Sequence, residues 1–324
     1  MPGAVSTAAT VSTTTSGAAG ARRYAAFAWG VVAVNLLVIL WGAFVRATGS
    51  GAGCGSHWPL CNGEVVPRAP AMETLIELGH RISSGFALLC VAGLVVGAWR
   101  GYPRGHLVRR GAAMSGILIL SEAMIGAGLV LLEHVADDRS LARGFWVSGH
   151  LLNTFLLVAA LVLTAWWASR GRPLRWRGQG GLGAALGAAL AGVLVLGVSG
   201  AVTALGDTLF PVTTLAEGTA LTRSDTAHVF VRLRIWHPTL AVAVGLLVAL
   251  AAFVAARARP TPVVHRLAVG MAALYAAQLG LGLANVYLLA PVGLQIAHLL
   301  LSDLIWIALV LLAASALATE PASA

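Results

Sequence analysis

The stretch Gly79-His80-Arg81-Ile82-Ser83-Ser84-Gly85-Phe86-Ala87-Leu88-Leu89-Cys90-Val91-Ala92-Gly93-Leu94-Val95-Val96-Gly97-Ala98-Trp99 decides the fold, because nothing after Arg81 in it carries a charge. A helix rises 1.5 Å per residue, so about 20 such residues cross the roughly 30 Å of hydrocarbon in a bilayer. Seven more runs read the same way: Ala25–Val45, Ala112–Leu132, Phe145–Trp167, Leu182–Ala204, His237–Ala256, Leu267–Leu288 and Val292–Ala314. Hydrophobic residues make up 58% of the chain and charged residues 10%, and mean hydropathy is +0.86. A soluble fold is excluded; the expectation is an all-α polytopic membrane protein with eight transmembrane helices.

The formal charge of +9 does not point to nucleic acid. Every basic residue is an arginine, and most lie at the N-terminus or in alternate connections: Arg22 and Arg23; Arg100, Arg104, Arg109 and Arg110; Arg170, Arg172, Arg175 and Arg177; Arg257, Arg259 and Arg266. Acidic residues such as Glu64, Glu133, Asp137, Asp207 and Glu217 fall in the other connections. The positive-inside rule then predicts that both termini are cytoplasmic. Basicity orients this chain in lipid.

Residues 1–22 are Ala-, Ser-, Thr- and Gly-rich and lack the basic-then-apolar order of a secretory signal, which predicts a disordered tail. The spans divide into halves over residues 23–168 and 182–316, joined by a cytoplasmic linker at 169–181 and followed by a tail at 317–324. His80 and His150 begin the second and fourth spans of the first half, as His237 and His298 do in the second. That correspondence predicts two pseudo-symmetric four-helix bundles. Gly126-Ala127-Gly128 and Gly280-Leu281-Gly282 permit close helix approach in the third and seventh spans.

Four imidazoles at corresponding places, all entering from the outer side, suggest paired ligands to haem iron, one bis-histidine site per half. His150 and His298 are expected deeper, and His80 and His237 nearer the interface. His106 and His265, His134 and His228, and His57 are expected in solvated surface roles. Cys90, inside the second span, reads as packing. Cys54 and Cys61 lie in an outer loop where a disulfide persists; zinc there needs further ligands, such as His57 and Glu64. Glu77 shares a helical face with His80, so its carboxylate either reaches a porphyrin rim or sits at a helix N-terminus favoured by the dipole. Arg46, Arg81, Arg232 and Arg234 break the charge rule at the outer face, as candidate haem-propionate contacts or as snorkelling side chains. Glu122 in the third span and Asp303 beyond His298 belong either to a proton path or to bridges between helices.

The outer loop from Phe44 to Gly63, with Cys54 and Cys61 around Trp58-Pro59-Leu60, and the following Glu77-Leu78-Gly79-His80-Arg81, closely resembles the haem A synthase family. The eight spans and four histidines match the same family in order. The resemblance implies oxidation of the C8 methyl of haem O to a formyl group, giving haem A for haem-copper cytochrome oxidase. It implies substrate haem O between His80 and His150, haem b between His237 and His298, and Glu77 as the catalytic carboxylate. It further implies a disulfide or redox-active pair at Cys54 and Cys61, a structural staple being the alternative. The implied place is the bacterial plasma membrane, with haem sites toward the outer face. Implied partners are haem O synthase (protohaem farnesyltransferase), cytochrome oxidase assembly, and a quinone or other electron acceptor. Many members carry a second cysteine pair between the fifth and sixth spans; Leu205–Ile235 has none. Two readings compete: a di-haem b-type electron carrier linked to quinol, and a haem-handling chaperone. Glu77 beside His80 under a cysteine loop is the feature a pure carrier does not require.

Overall fold

The computed structural model describes residues 8–169 and 171–319. Its elements are α1 (Ala8–Ala47), a 3₁₀ turn (Ser50–Ala52), α2 (Met72–Gly101), α3 (Leu107–Leu131), α4 (Leu141–Ala168), α5 (Gly180–Leu209), α6 (Leu215–Arg223), α7 (Val229–Leu233), α8 (Trp236–Ala258), α9 (Pro262–Tyr287) and α10 (Val292–Ala316). Eight stretches are long and apolar enough to span a membrane. The first is Ala19–Ala47 within α1, and the sixth is Val229–Ala258, where α7 runs on into α8.

Helix starts follow local chemistry. Ser140 and Thr261 accept from the N–H groups of Arg143 and Val264, capping α4 and α9, and Pro262 opens α9 where a missing N–H costs nothing. His106 and His228, expected as solvated surface residues, cap α3 and α7 through their ring nitrogens. Helix α1 begins at Ala8, inside the stretch expected as a disordered tail; alanine continues a helix at little cost. Residues 1–7 and 320–324 of the expected tails lie outside the described residues.

Helix α1 packs on α2 and α4, which both pack on α3, closing one ring; α5 packs on α8 and α10, which both pack on α9, closing the second. The rings meet through α1 and α4 on one side and α5 and α10 on the other. By order α1 corresponds to α5, α2 to α8, α3 to α9 and α4 to α10, so equivalent helices form the seam. Burial agrees, since 61% of the most apolar window of α4 is buried against 22% for α2 and α3. Apolar burial does not drive helices together in lipid, so direct packing and interhelical hydrogen bonds must. At the seam Phe155 stacks on Trp306 at 5.5 Å between ring centres, and Trp306 Nε1 donates to the Phe155 carbonyl at 2.7 Å.

Candidate functional site

Three of the four histidines lie well inside their helices, and His237 lies at the start of α8. His80 is eight residues beyond Met72, His150 nine beyond Leu141 and His298 six beyond Val292, whereas His237 is one residue beyond Trp236, where α8 begins after the turn at Arg234 and Ile235. At 1.5 Å per residue the first three lie about 9–14 Å from the helix start. His80 thus lies as far along its helix as His150 does, while His237 stays at the start of α8. The apolar run marks where hydropathy begins, whereas α2 starts about two turns earlier.

Each imidazole is seated against a glycine of the preceding spanning helix. A Cβ added at Gly42 of α1 would lie 2.8 Å from His80 Cε1, and one at Gly200 of α5 3.1 Å from His237 Cε1. At Gly282 of α9 the distance to His298 Cε1 is 3.2 Å, and at Gly126 of α3 the distance to His150 Cε1 is 4.0 Å. Glycines in four corresponding places, close at three and at ordinary contact distance for Gly126, leave room for rings between helices that are otherwise in contact.

In the second half, the rings of His237 and His298 lie edge to face with centres 6.5 Å apart and planes 72° to each other. Two imidazole–metal bonds of about 2 Å each, with roughly 1 Å from each nitrogen to its ring centre, set centres about 6 Å apart. The spacing fits one metal ion between the rings. Ser199 Oγ lies 2.8 Å from His237 Nδ1 and donates its own proton to the Leu196 carbonyl. The serine oxygen therefore accepts Nδ1–H, leaving the Nε2 lone pair free to ligate. His298 Nδ1 is buried without a hydrogen-bond partner among the described residues.

In the first half, His80 Nδ1 and His150 Nδ1 are both buried without a hydrogen-bond partner among the described residues. Glu122 Oε1 lies 3.1 Å from His150 Nδ1. The donor set and the orphaned imidazole nitrogens fit a bis-histidine haem in each half.

Above His80 the outer loop is tied to α2. Cys54 and Cys61 form a disulfide with Cα atoms 4.4 Å apart. Thr74 Oγ1 donates to the Gly53 carbonyl at 2.7 Å, and Asn62 Nδ2 donates to the same oxygen at 3.2 Å. Glu77, 3% exposed, accepts from the Cys54 N–H at 2.8 Å through Oε2 and from Arg81 Nε at 3.0 Å through Oε1. Arg81 makes a second, close bond to Oε1, and its Nη1 donates to the carbonyls of His57 and Leu60. Satisfied polar groups at Thr74 and Glu77 explain why α2 continues outward past its apolar run. The expected projection of Glu77 from the His80 face holds for the backbone, while its carboxylate is fastened to the loop.

The four arginines expected at propionates divide. Arg81 is occupied as above. Arg46 bridges the halves, donating through Nη1 to the Ala204 carbonyl at 2.8 Å and Thr208 Oγ1 at 2.6 Å, and through Nη2 to Gln295 Oε1 at 2.9 Å. Arg232 is exposed. Arg234 pairs with Asp207 at 3.0 Å through Nη1 while its Nε and Nη2 are buried and unpartnered among the described residues. Arg143, not singled out from sequence, is 4% exposed, with its Nε likewise unpartnered. Its signal was present: an arginine at the outer start of α4 also breaks the charge rule.

Comparison with known proteins adds three findings. A family model described as COX15-CtaA, cytochrome oxidase assembly protein, matches residues 25–310. A protein of Thermus thermophilus named protoheme IX farnesyltransferase is 54% identical over 295 residues, which cover 91% of this chain and 48% of that protein. A heme A synthase of Bacillus cereus is 45% identical over 96 residues, covering 30% of this chain and 31% of its own length. This chain thus spans about half the length of the Thermus relative. With that match over most of its length, and with eight apolar helices and a disulfide-closed loop among the described residues, the chain belongs to the COX15-CtaA family of cytochrome oxidase assembly proteins.

Proposed function

We propose that the protein is a haem A synthase of the bacterial plasma membrane, oxidising the C8 methyl of haem O to a formyl group, with both haem sites in the outer half of the bilayer and both termini cytoplasmic. The observation that carries the reading is the asymmetric dressing of a symmetric scaffold. Both halves present two imidazoles beside glycines, but the disulfide loop and Glu77 stand over the first half alone. Haem O as substrate is assigned to His80 and His150, and haem b to His237 and His298.

The conversion comprises two successive two-electron oxidations: methyl and water give formyl, four protons and four electrons. Haem b, when bound, supplies one-electron transfer toward an acceptor such as a quinone. His80 and His150 hold the substrate iron, so that the porphyrin edge is fixed relative to α2. Glu77 receives the acid–base role: its carboxylate stabilises positive charge at the methyl carbon and takes a proton from attacking water. Three N–H donors engage a group with about four acceptor sites, leaving capacity on Oε2. Arg81 and the Cys54 N–H orient that carboxylate, and the disulfide keeps the loop over it. Arg234 and Arg143, with free buried donors, are assigned to propionates ahead of the occupied Arg46 and Arg81. The Thermus protein named protoheme IX farnesyltransferase contains a segment like this chain, which supports haem O synthase as the partner that delivers substrate.

The test is haem extraction from the purified full-length protein, expressed in a host that makes haem O, with identification by chromatography and mass. The parent should yield haem b with haem A or its hydroxylated precursor. Glu77→Gln should retain haem b and accumulate haem O, with haem A reduced by orders of magnitude. His237→Ala and His298→Ala should each lose haem b. A parent that holds haem b alone overturns the reading in favour of an electron carrier.

A further inference from the structure

The two halves place different groups at one pair of equivalent positions. Gly126 backs His150 and Gly282 backs His298; four residues before these glycines stand Glu122 and Gln278, and four residues after the histidines stand Thr154 and Ser302. In the first half a carboxylate stands among an imidazole, a hydroxyl and an amide. His150 Nδ1 lies 3.1 Å from Glu122 Oε1, at ion-pair distance without the alignment of a hydrogen bond; the Thr154 hydroxyl reaches both that oxygen and, at 2.8 Å, the His150 carbonyl, and Asn153 Nδ2 donates to Oε2 at 2.5 Å. The Asn153 amide cannot be turned the other way, because Nδ2 also donates to the Leu118 carbonyl at 2.9 Å while Oδ1 accepts from Ser121 at 2.7 Å. Oε2 is thereby held as an acceptor, the role of an ionised carboxylate oxygen. In the second half Gln278 Nε2 donates to the His298 carbonyl at 3.1 Å, while Gln278 Oε1 and His298 Nδ1 are both left without partners among the described residues.

We infer that Glu122 is a positioning residue of the first-half site, its negative charge holding the proton on Nδ1 of His150 so that Nε2 is the ligating nitrogen and the imidazole is the stronger donor of the two α4/α10 ligands. The inference rests on the reading that His150 ligates the first-half haem. A carboxylate behind a metal-bound histidine fixes its tautomer and raises its basicity. Negative charge one ring away from the iron also favours its ferric over its ferrous form. Gln278 supplies neither effect, so the first-half haem has the lower reduction potential of the two.

Potentiometric titration of the haem-loaded, full-length protein, followed optically, tests this together with haem content. Loss of such a partner typically costs ten- to a hundredfold in metal affinity. If that loss falls on the ferric form, Glu122→Gln raises the first-half midpoint by about 59 mV per tenfold change, with the second-half midpoint unmoved. The reciprocal Gln278→Glu should lower the second-half midpoint and leave the first. A Glu122→Gln protein with full haem content and both midpoints at parental values overturns the inference. So does a folded, haem-loaded Gln278→Glu protein whose second-half midpoint stays put, which keeps the test decisive even where Glu122→Gln does not accumulate. Unchanged haem content and spectrum in His150→Ala would instead overturn the ligation reading, whatever Glu122 does.

Discussion

Replacing Gly42 with alanine adds one methyl group and tests the notch directly. The new Cβ would stand 2.8 Å from His80 Cε1 and 3.2 Å from Nε2. Carbon atoms rest at about 3.5–4.0 Å, so the ring must retreat by roughly 1 Å. Ligand distances at metal sites tolerate about 0.2 Å, and the ring cannot withdraw that far while remaining bonded unless α1 moves. Overpacking of this kind costs about 1–3 kcal/mol, a loss of about 5- to 140-fold in occupancy of the first-half site at 1.4 kcal/mol per tenfold. The structure also grades the series. Gly200 and Gly282, at 3.1 and 3.2 Å, should suffer less, Gly126 at 4.0 Å little, and Gly30, with nothing within 4 Å, not at all. The assay is haem per polypeptide by alkaline pyridine spectrum on each purified variant, followed by haem titration of the depleted protein. Parental haem occupancy and an unchanged low-spin spectrum in Gly42→Ala would refute the reasoning. Equal losses in Gly42→Ala and Gly30→Ala would refute it too, since only one of them meets an imidazole.

Arg46→Gln removes the guanidinium that joins α1 to α5 and α10 and should lower stability by about 1–2 kcal/mol, within the range of interhelical polar bonds in membranes; an unfolding midpoint in detergent equal to the parent's would show that the clamp holds nothing. Asp138 lies in the loop between α3 and α4. Burial pushes its carboxyl up, but bonds from the Ser140 N–H and hydroxyl and from His134 outweigh this and hold it below the ordinary carboxylate value. A depressed carboxyl contributes stability that is complete above its unfolded value and lost as pH falls through the folded one. Protease resistance of this loop should therefore decline on the acid side in the parent and be lower but flatter in Asp138→Asn; the same acid decline in both would contradict the assignment.

The spans were legible because a bilayer demands about 20 apolar residues at a time, and the four histidines stood out because imidazole there is costly. Less of their setting could be read. The depth of His80 was hidden because Thr74 and Glu77 look like loop residues until the Cys54–Cys61 loop is seen to satisfy them. Glu122 was visible as a carboxylate within a span, but its partner His150 lies on the next helix, and no periodicity within α3 points to it. Arg46 stands out in sequence for breaking the charge rule, as a candidate propionate contact or a snorkelling side chain, whereas its acceptors lie some 160 and 250 residues along the chain in the other half. Gly42 and Gly200 carried no signal at all: a single glycine in an apolar span reads as ordinary, and only its neighbour gives it a purpose.

A duplicated bundle meets the same demand twice, since each half must admit two imidazoles between packed helices; glycines on α1, α5 and α9 leave the close space for this, while Gly126 on α3 stands at ordinary contact distance. What differs is one bond removed from the rings. His237 is backed by the Ser199 hydroxyl and His80 by no partner among the described residues; His150 is backed by a carboxylate and His298 by an amide that does not reach its nitrogen. Changes at that remove leave the imidazole and its notch intact, so they alter the donor strength of a ligand without dismantling the site. Substitutions at the notch are of the other kind, because they compete with the ring for space. A chain of this design can therefore diverge in redox character between its halves through residues such as Glu122 and Gln278, while the ligands and their glycines stay fixed by geometry.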